Sequence, residues 1–296
     1  MAEDRLRLTA YVLAADPSWI EESVLSYYDH VDRIVVSYDE TGTSWTGTPI
    51  AVEECLARLK SIDVDGKLDY APGSYYVPGR APLDSDTAQR NDALARASIG
   101  ADWVVQLDTD EVLADPDELV RAIEAADAGG FDGVEYPARL LYQHLRGSLY
   151  LELCRRTWAV AADYPGPVAV RAGTPLVHCR QADVALYRVD FKPRNTDPSH
   201  PKDAPVHRVV RPDQALIHFS WVRSDAHMDA KSRSSGHAHD FPWGPVIARW
   251  RDSREHPLRA VLGTPVRRGP QRKLLRFARV PGAPDRAARA RNGLPG

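Results

Sequence analysis

The sequence predicts an α/β protein with a mostly parallel central sheet flanked by helices. Two observations carry this. Apolar runs of strand length alternate with helix-period segments over the first 130 or so residues, as a parallel sheet requires when each crossover is a helix. The fourth such run, in "DWVVQLDTDEVL", then breaks abruptly into Asp108, Asp110 and Glu111. In an open sheet of this kind, ligands bind beyond the carboxyl ends of the strands.

The elements follow in order. "LRLTAYVLAA" reads as the first strand, and "DPSWIEESVLSYYDHV" as a helix with Asp16 as N-cap and Pro17 at its first position. "DRIVVSYD" is the second strand, followed by a Gly/Thr/Ser loop. "IAVEECLARLKSI" suits a helix with Ile50, Val52, Leu56 and Leu59 inward. "GKLDYAP" is a short third strand, and "SDTAQRNDALARASIG" a helix closed by Gly100. The acid-tipped fourth strand precedes a helix, "DPDELVRAIEAAD", for which Asp110 or Asp115 is the cap.

Composition bounds the function. The 296 residues are 43% hydrophobic and 27% charged, with net charge -3, an ordinary globular profile and a poor one for a nucleic-acid binder. Residues 264–296 carry nine Arg or Lys against one Asp, so they contribute +8 and leave -11 for the rest. Cys55, Cys154 and Cys179 are far apart with no CxxC pair, which suits a reducing cytoplasm rather than a disulfide framework. The first residues, "MAEDRLRLTAYVLAAD", lack the basic start of a signal peptide. A cytoplasmic protein is expected.

Carboxylates at a strand end suit a hard divalent cation, which takes oxygen ligands and keeps company with phosphates. A solvated acidic turn is the plainer reading of D-x-D alone. The wider pattern decides between them. "VVSYDETG" puts Asp39 at the end of the second strand, and "AQRNDALARASIGADWVVQLDTDEVL" places Gln89, Arg90 and Asn91 ahead of Asp108-Thr109-Asp110-Glu111. Over some 130 residues this composite resembles the nucleotide-sugar-binding half of a GT-A glycosyltransferase of the family 2 type. The loop "SYDETGTSWTG" departs from the D-D-G-S-x-D run common in that family.

The resemblance implies a metal-dependent transfer of a sugar from a nucleotide sugar to an acceptor hydroxyl. Mn²⁺ or Mg²⁺ would be the cofactor, as a Lewis acid on the diphosphate. Asp110 is the expected direct ligand, and Asp108 would contact ribose or a metal-bound water. Asp39 would face the nucleotide and favour a UDP-sugar. Arg90 either reaches the diphosphate or sugar, or forms a helix-surface salt bridge. Glu111 either helps hold the site or simply opens a helix favourably.

Residues 131–263 read as the acceptor-side half of the same domain, with a long Pro-rich loop, "KPRNTDPSHPKDAPVHRVVRP". The resemblance calls for a downstream histidine on the metal. His218, in "ALIHFSW", is the first candidate, and the His237-x-His239 pair is its rival. Lys231 and Arg223 either close over the diphosphate or solvate a helix. An inverting reaction needs a carboxylate base within reach of the acceptor. Asp190 is placed for it, with Asp197 and Asp240 as alternatives.

The segment 264–296 reads as a basic, flexible tail. Alternatively, Leu274, Leu275, Phe277 and Val280 among arginines form an amphipathic segment on an anionic membrane, near a lipid-linked acceptor. Two other functions share this logic: a sugar-phosphate nucleotidyltransferase, and a non-catalytic nucleotide-sugar-binding protein. The former usually has a Gly-rich loop after its first strand, where this chain reads "AADPSWIEES".

Overall fold

Strand β1 (Leu8–Leu13) is buried along its whole length. Ala10 and Val12 face one cluster with Ile20, Val24, Leu59 and Ile123, while Tyr11 and Leu13 face another with Ala93, Leu94 and Val170. A strand apolar on both sides has to be covered on both. The helices that follow do this. The computed structural model describes residues 5–155, 158–192, 195–197, 203–238, 240, 242–263 and 274–280.

After β1 come α1 (Ile20–Leu25), β2 (Arg33–Asp39), α2 (Val52–Ile62), β3 (Leu68–Gly73), α3 (Pro82–Ala97) and β4 (Trp103–Gln106). Then follow β5 (Glu111–Leu113), α4 (Pro116–Ala128), β6 (Gly133–Glu135), β7 (Ala138–Arg146), β8 (Leu149–Cys154) and β9 (Ala169–Arg171). The remainder is β10 (Leu176–His178), β11 (Gln181–Ala182), β12 (Leu186–Asp190), β13 (Arg208–Val209), β14 (Leu216–His218), α5 (Asp225–Ser234), α6 (Trp243–Glu255), α7 (Pro257–Gly263) and β15 (Leu274–Arg279).

Among the described residues the main sheet has eight strands in the order β13-β12-β6-β9-β4-β1-β2-β3. All its pairs are parallel except those made by β9, which runs against β4 and β6. The mostly parallel sheet flanked by helices is therefore present, and it continues past residue 130. The second sheet is β15-β8-β7-β14-β5. Its β14 lies between β7 and β5, with His218 opposite Glu111.

Two local expectations are corrected, and of two candidate caps one is selected. Asp16 does not cap α1: that helix starts at Ile20 behind Trp19 and is six residues long. Asp16 instead accepts from Ser18 N and pairs with Arg223, because a buried guanidinium is the stronger partner for a carboxylate. Asp115, and not Asp110, caps α4 through Glu118 N. The stretch 274–279 of the tail is a strand on β8, with Leu275, Ala278 and Val280 buried, so it is not a free amphipathic segment. Residues 264–273 and 281–296 of the expected tail lie outside the described residues.

Candidate active site

The acidic turn sits where β4 ends. Glu111 N donates to Asp108 O at 3.0 Å, closing the turn, and Ser23 Oγ donates to the same carbonyl from α1. Glu111 folds back so that Oε2 accepts from Asp108 N at 3.0 Å. Arg180, from the β10–β11 hairpin, donates to both Glu111 oxygens at 2.5 and 2.6 Å and to Gln106 O at 3.0 Å. Both Arg180 and Glu111 are buried. The last acid of the sequence motif is thus a brace inside the turn.

The two aspartates are held differently. Asp108 Oδ1 accepts from Arg90 Nη2 at 2.8 Å, and Arg90 Nε is held by Asp86 at 2.6 Å. The Asp108 side chain is still one-third exposed (33%), so it can meet a ligand. Arg90 is a buried brace rather than a surface ion pair. Asp110 is more enclosed: Oδ2 accepts from Arg223 Nη2 at 2.5 Å and from Lys231 Nζ at 3.2 Å. On its other side, His218 Nε2 lies 3.4 Å from Oδ1.

Backbone geometry explains the meeting of residues so far apart in sequence. β14 pairs with β5, and Phe219 N donates to Asp110 O at 2.8 Å. The chain then turns through 219–224 into α5, whose N-cap is Ser224. Trp19 locks that turn to the loop after β1, stacking on Phe219 with centroids 4.2 Å apart and donating to Val222 O. Such a ring pair adds ~0.5–1.5 kcal/mol beyond its buried area.

These charges shift one another. Burial alone would raise the Asp110 carboxyl, but Lys231, His218 and Arg223 hold it well below the ordinary carboxylate range. Burial alone would lower His218, yet Asp110 and Glu111 raise it above its usual value. Burial and neighbouring Arg223 lower Lys231, with Asp110 opposing. For Asp108, Arg90 and Arg180 overcome burial and lower the carboxyl. A titratable cluster at a strand end, perturbed by specific partners, marks a functional site better than any single residue does.

The donor set can be tested against a divalent cation. Two ligands about 2.1 Å from a metal and at right angles are ~3 Å apart, close to the 3.4 Å between Asp110 Oδ1 and His218 Nε2. His218 Nδ1 is buried without a hydrogen-bond partner, 4.0 Å from Glu111 Oε1. Among the described residues, no group of three or more His, Cys, Asp or Glu is arranged to hold a metal. A two-donor edge is enough for cations that take their other ligands from phosphates and water. The residues fit.

Other expected residues lie elsewhere. Asp39 is 3% exposed: Oδ1 accepts from Thr41 N, Thr41 Oγ1 and Thr43 N, while Oδ2 accepts from Tyr75 N. It shapes its loop first, with one lone pair of Oδ2 left over. Gln89 and Asn91 are also structural, holding Trp45 and Leu176 respectively. Asp190 is fully buried, accepting from Phe191 N and Thr196 Oγ1 on one oxygen and Thr196 N on the other. A base must face its acceptor; Asp190 instead anchors the loop behind it.

Asp197 is buried too, and His237 pairs with Asp240 at 2.7 Å on the surface. His239 lies outside the described residues. The site residues not foreseen are Arg180, Asp86, Ser23 and Asp16. The last was visible only as a cap signal.

No protein-family model matches the chain, and no curated protein matches it. Among solved structures it is similar to 4-diphosphocytidyl-2C-methyl-D-erythritolsynthase from Anaerococcus prevotii, with 12% identity and a TM-score of 0.35 over 57% of this chain and 71% of that one. It is also similar to the mannosyltransferase PcManGT from Pyrobaculum calidifontis, solved with GDP-Man and Mn²⁺. That match has 20% identity and a TM-score of 0.33 over 46% of this chain and 36% of that one. A third is mannose-6-phosphate isomerase from Helicobacter pylori, with 13% identity and a TM-score of 0.28 over 48% of this chain and 53% of that one. The chain thus spans about a third of the mannosyltransferase and half of the isomerase. None of these likenesses is close enough to assign an activity.

Proposed function

We propose that the chain is a metal-dependent glycosyltransferase of the GT-A, family 2 type. It would move a sugar from a nucleotide-sugar donor to an acceptor hydroxyl, with inversion. One observation carries the reading: His218, Arg223 and Lys231 converge on Asp110 at the carboxyl end of β4.

Asp110 and His218 would hold Mn²⁺ or Mg²⁺, which when bound stabilises negative charge on the departing nucleoside diphosphate. Arg223 and Lys231 share one Asp110 oxygen; a diphosphate offers them several oxygens and stronger charge-assisted bonds. Asp108, fixed by Arg90, would meet ribose or a metal-bound water. Asp39 Oδ2 keeps room for one more donor, such as the N3–H of uracil, which favours a UDP-sugar over a GDP-sugar. Asp190 would act as acceptor base only once Phe191 and Thr196 no longer occupy its oxygens.

The test is release of nucleoside diphosphate from a panel of UDP- and GDP-sugars, with Mn²⁺ and with chelator. Metal-dependent release from a UDP-sugar is expected. Pyrophosphate release from a nucleoside triphosphate and a sugar phosphate would make the protein a nucleotidyltransferase instead. Tight binding without turnover of any donor would make it a binding protein.

A further inference from the structure

A second feature lies on the far sheet. Helix α7 turns Val261 inward and leaves Leu258 and Leu262 exposed at 66% and 65%. These two are one turn apart and share a helix face. Next to them β15 presents Phe277, 38% exposed. Leu258, Phe277 and Leu149 line an open groove of about 460 Å³ together with His144, Arg146, Arg254 and a single carboxylate, Glu255. Arg279, two residues beyond Phe277, is exposed on the same side of the strand.

Charge indicates what such a surface meets. The described residues of 243–263 and 274–280 carry six Arg against Asp252 and Glu255. Some arginines are paired: Arg254 with Asp225, Arg259 with Asp252, and Arg276 with Glu152. Arg146 and Arg279 have no carboxylate partner among the described residues. Large aliphatic and aromatic side chains inside a basic rim match a lipid surface, with acyl chains below and anionic headgroups at the level of the arginines. A nucleic acid would use the arginines but give exposed Leu258 and Leu262 nothing to do.

We propose that α7 and the outward side of β15 form a contact surface for an anionic phospholipid membrane. Leu258, Leu262 and Phe277 enter the headgroup boundary, while Arg146 and Arg279 meet lipid phosphates. Among the described residues no helix is long and apolar enough to cross a membrane; the contact proposed is interfacial. It is independent of the transferase reading and needs no turnover to be tested.

The experiment is flotation of the full chain with vesicles of phosphatidylcholine alone or mixed with phosphatidylglycerol, at low and high salt. Binding to the mixed vesicles only, weakened by salt, is expected. Leu258→Asp/Leu262→Asp should reduce the bound fraction about tenfold, with an unchanged melting curve because both side chains are exposed. Arg146→Glu/Arg279→Glu should reduce it as well. No binding to anionic vesicles overturns the proposal, as does equal binding to both vesicle types. So does binding that the leucine pair leaves unchanged, since that contact would be purely electrostatic. RNA binding in place of vesicle binding would assign the surface to nucleic acid.

Discussion

Arg180 grips Glu111 with two guanidinium nitrogens, at 2.5 and 2.6 Å, beneath the turn that carries Asp108 and Asp110. The pair is fully enclosed, so removing Arg180 leaves the Glu111 carboxylate buried with only the Asp108 N–H and the more distant His218 to answer it. Arg180→Met should therefore lower folding stability by about 3–5 kcal/mol, whereas Arg180→Met/Glu111→Leu should recover most of the loss. Donor turnover should stay low in the double variant, because Asp108 N loses its acceptor on Glu111. Denaturant melts beside nucleotide-release assays separate the two effects. Arg180→Met as stable as the parent would show that the brace is unimportant.

That brace marks the limit of what the sequence discloses. Strands β1, β2 and β4 were legible because a strand buried on both faces must be a continuous apolar run, and the acids at 108–111 interrupt one. His218 was reachable only through the family resemblance. Arg180 and Asp16 were not reachable: an ion pair across a fold leaves no periodic trace in either segment. The antiparallel β9 was hidden for a related reason. Its three residues are too short to carry direction. In 274–280, the buried Leu275, Ala278 and Val280 do not alternate strictly, so the same residues suit an amphipathic segment or a strand edge.

Lys231 and Arg223 give the next prediction. Both contact Asp110 now, and both would transfer to a diphosphate. Lys231→Ala should raise the donor KM about tenfold or more with a smaller loss in kcat, and should weaken nucleoside diphosphate binding in calorimetry. Asp110→Asn should lower turnover about 100-fold or more. Unaltered diphosphate binding by Lys231→Ala would mean that this lysine serves only the fold.

His218 supplies the pH dependence. Burial works against its proton, but Asp110 and Glu111 raise its folded value above the usual one. A group raised on folding contributes stability that is full below its unfolded value, about 6.5, and is lost as pH climbs through the folded value. The metal-free protein should therefore melt progressively lower as pH rises across that window, and His218→Gln should flatten the trend. A metal bound to His218 as proposed would have to displace the same proton, so Mn²⁺ affinity should rise over that window. A melting profile with the same slope in His218→Gln would place the titration elsewhere.

The last prediction concerns how β15 is held. Glu152 on β8 is fully buried, and Arg139 from β7 donates to its two oxygens at 2.6 and 3.0 Å. Arg276 from β15 donates twice to Oε2, at 3.1 and 2.9 Å. The two arginines differ in exposure, with side chains 5% and 24% accessible. Arg139→Ala strips a buried carboxylate of its closer partner and should cost several kcal/mol. Arg276→Ala leaves Arg139 in place and removes a partly solvated contact, so roughly 1 kcal/mol is expected. Glu152→Gln should be worse than Arg276→Ala, because it leaves two guanidinium groups facing a neutral amide. Chemical denaturation of the three variants checks the ranking. If Arg276→Ala proved the most damaging, β15 and not Arg139 would be what neutralises Glu152.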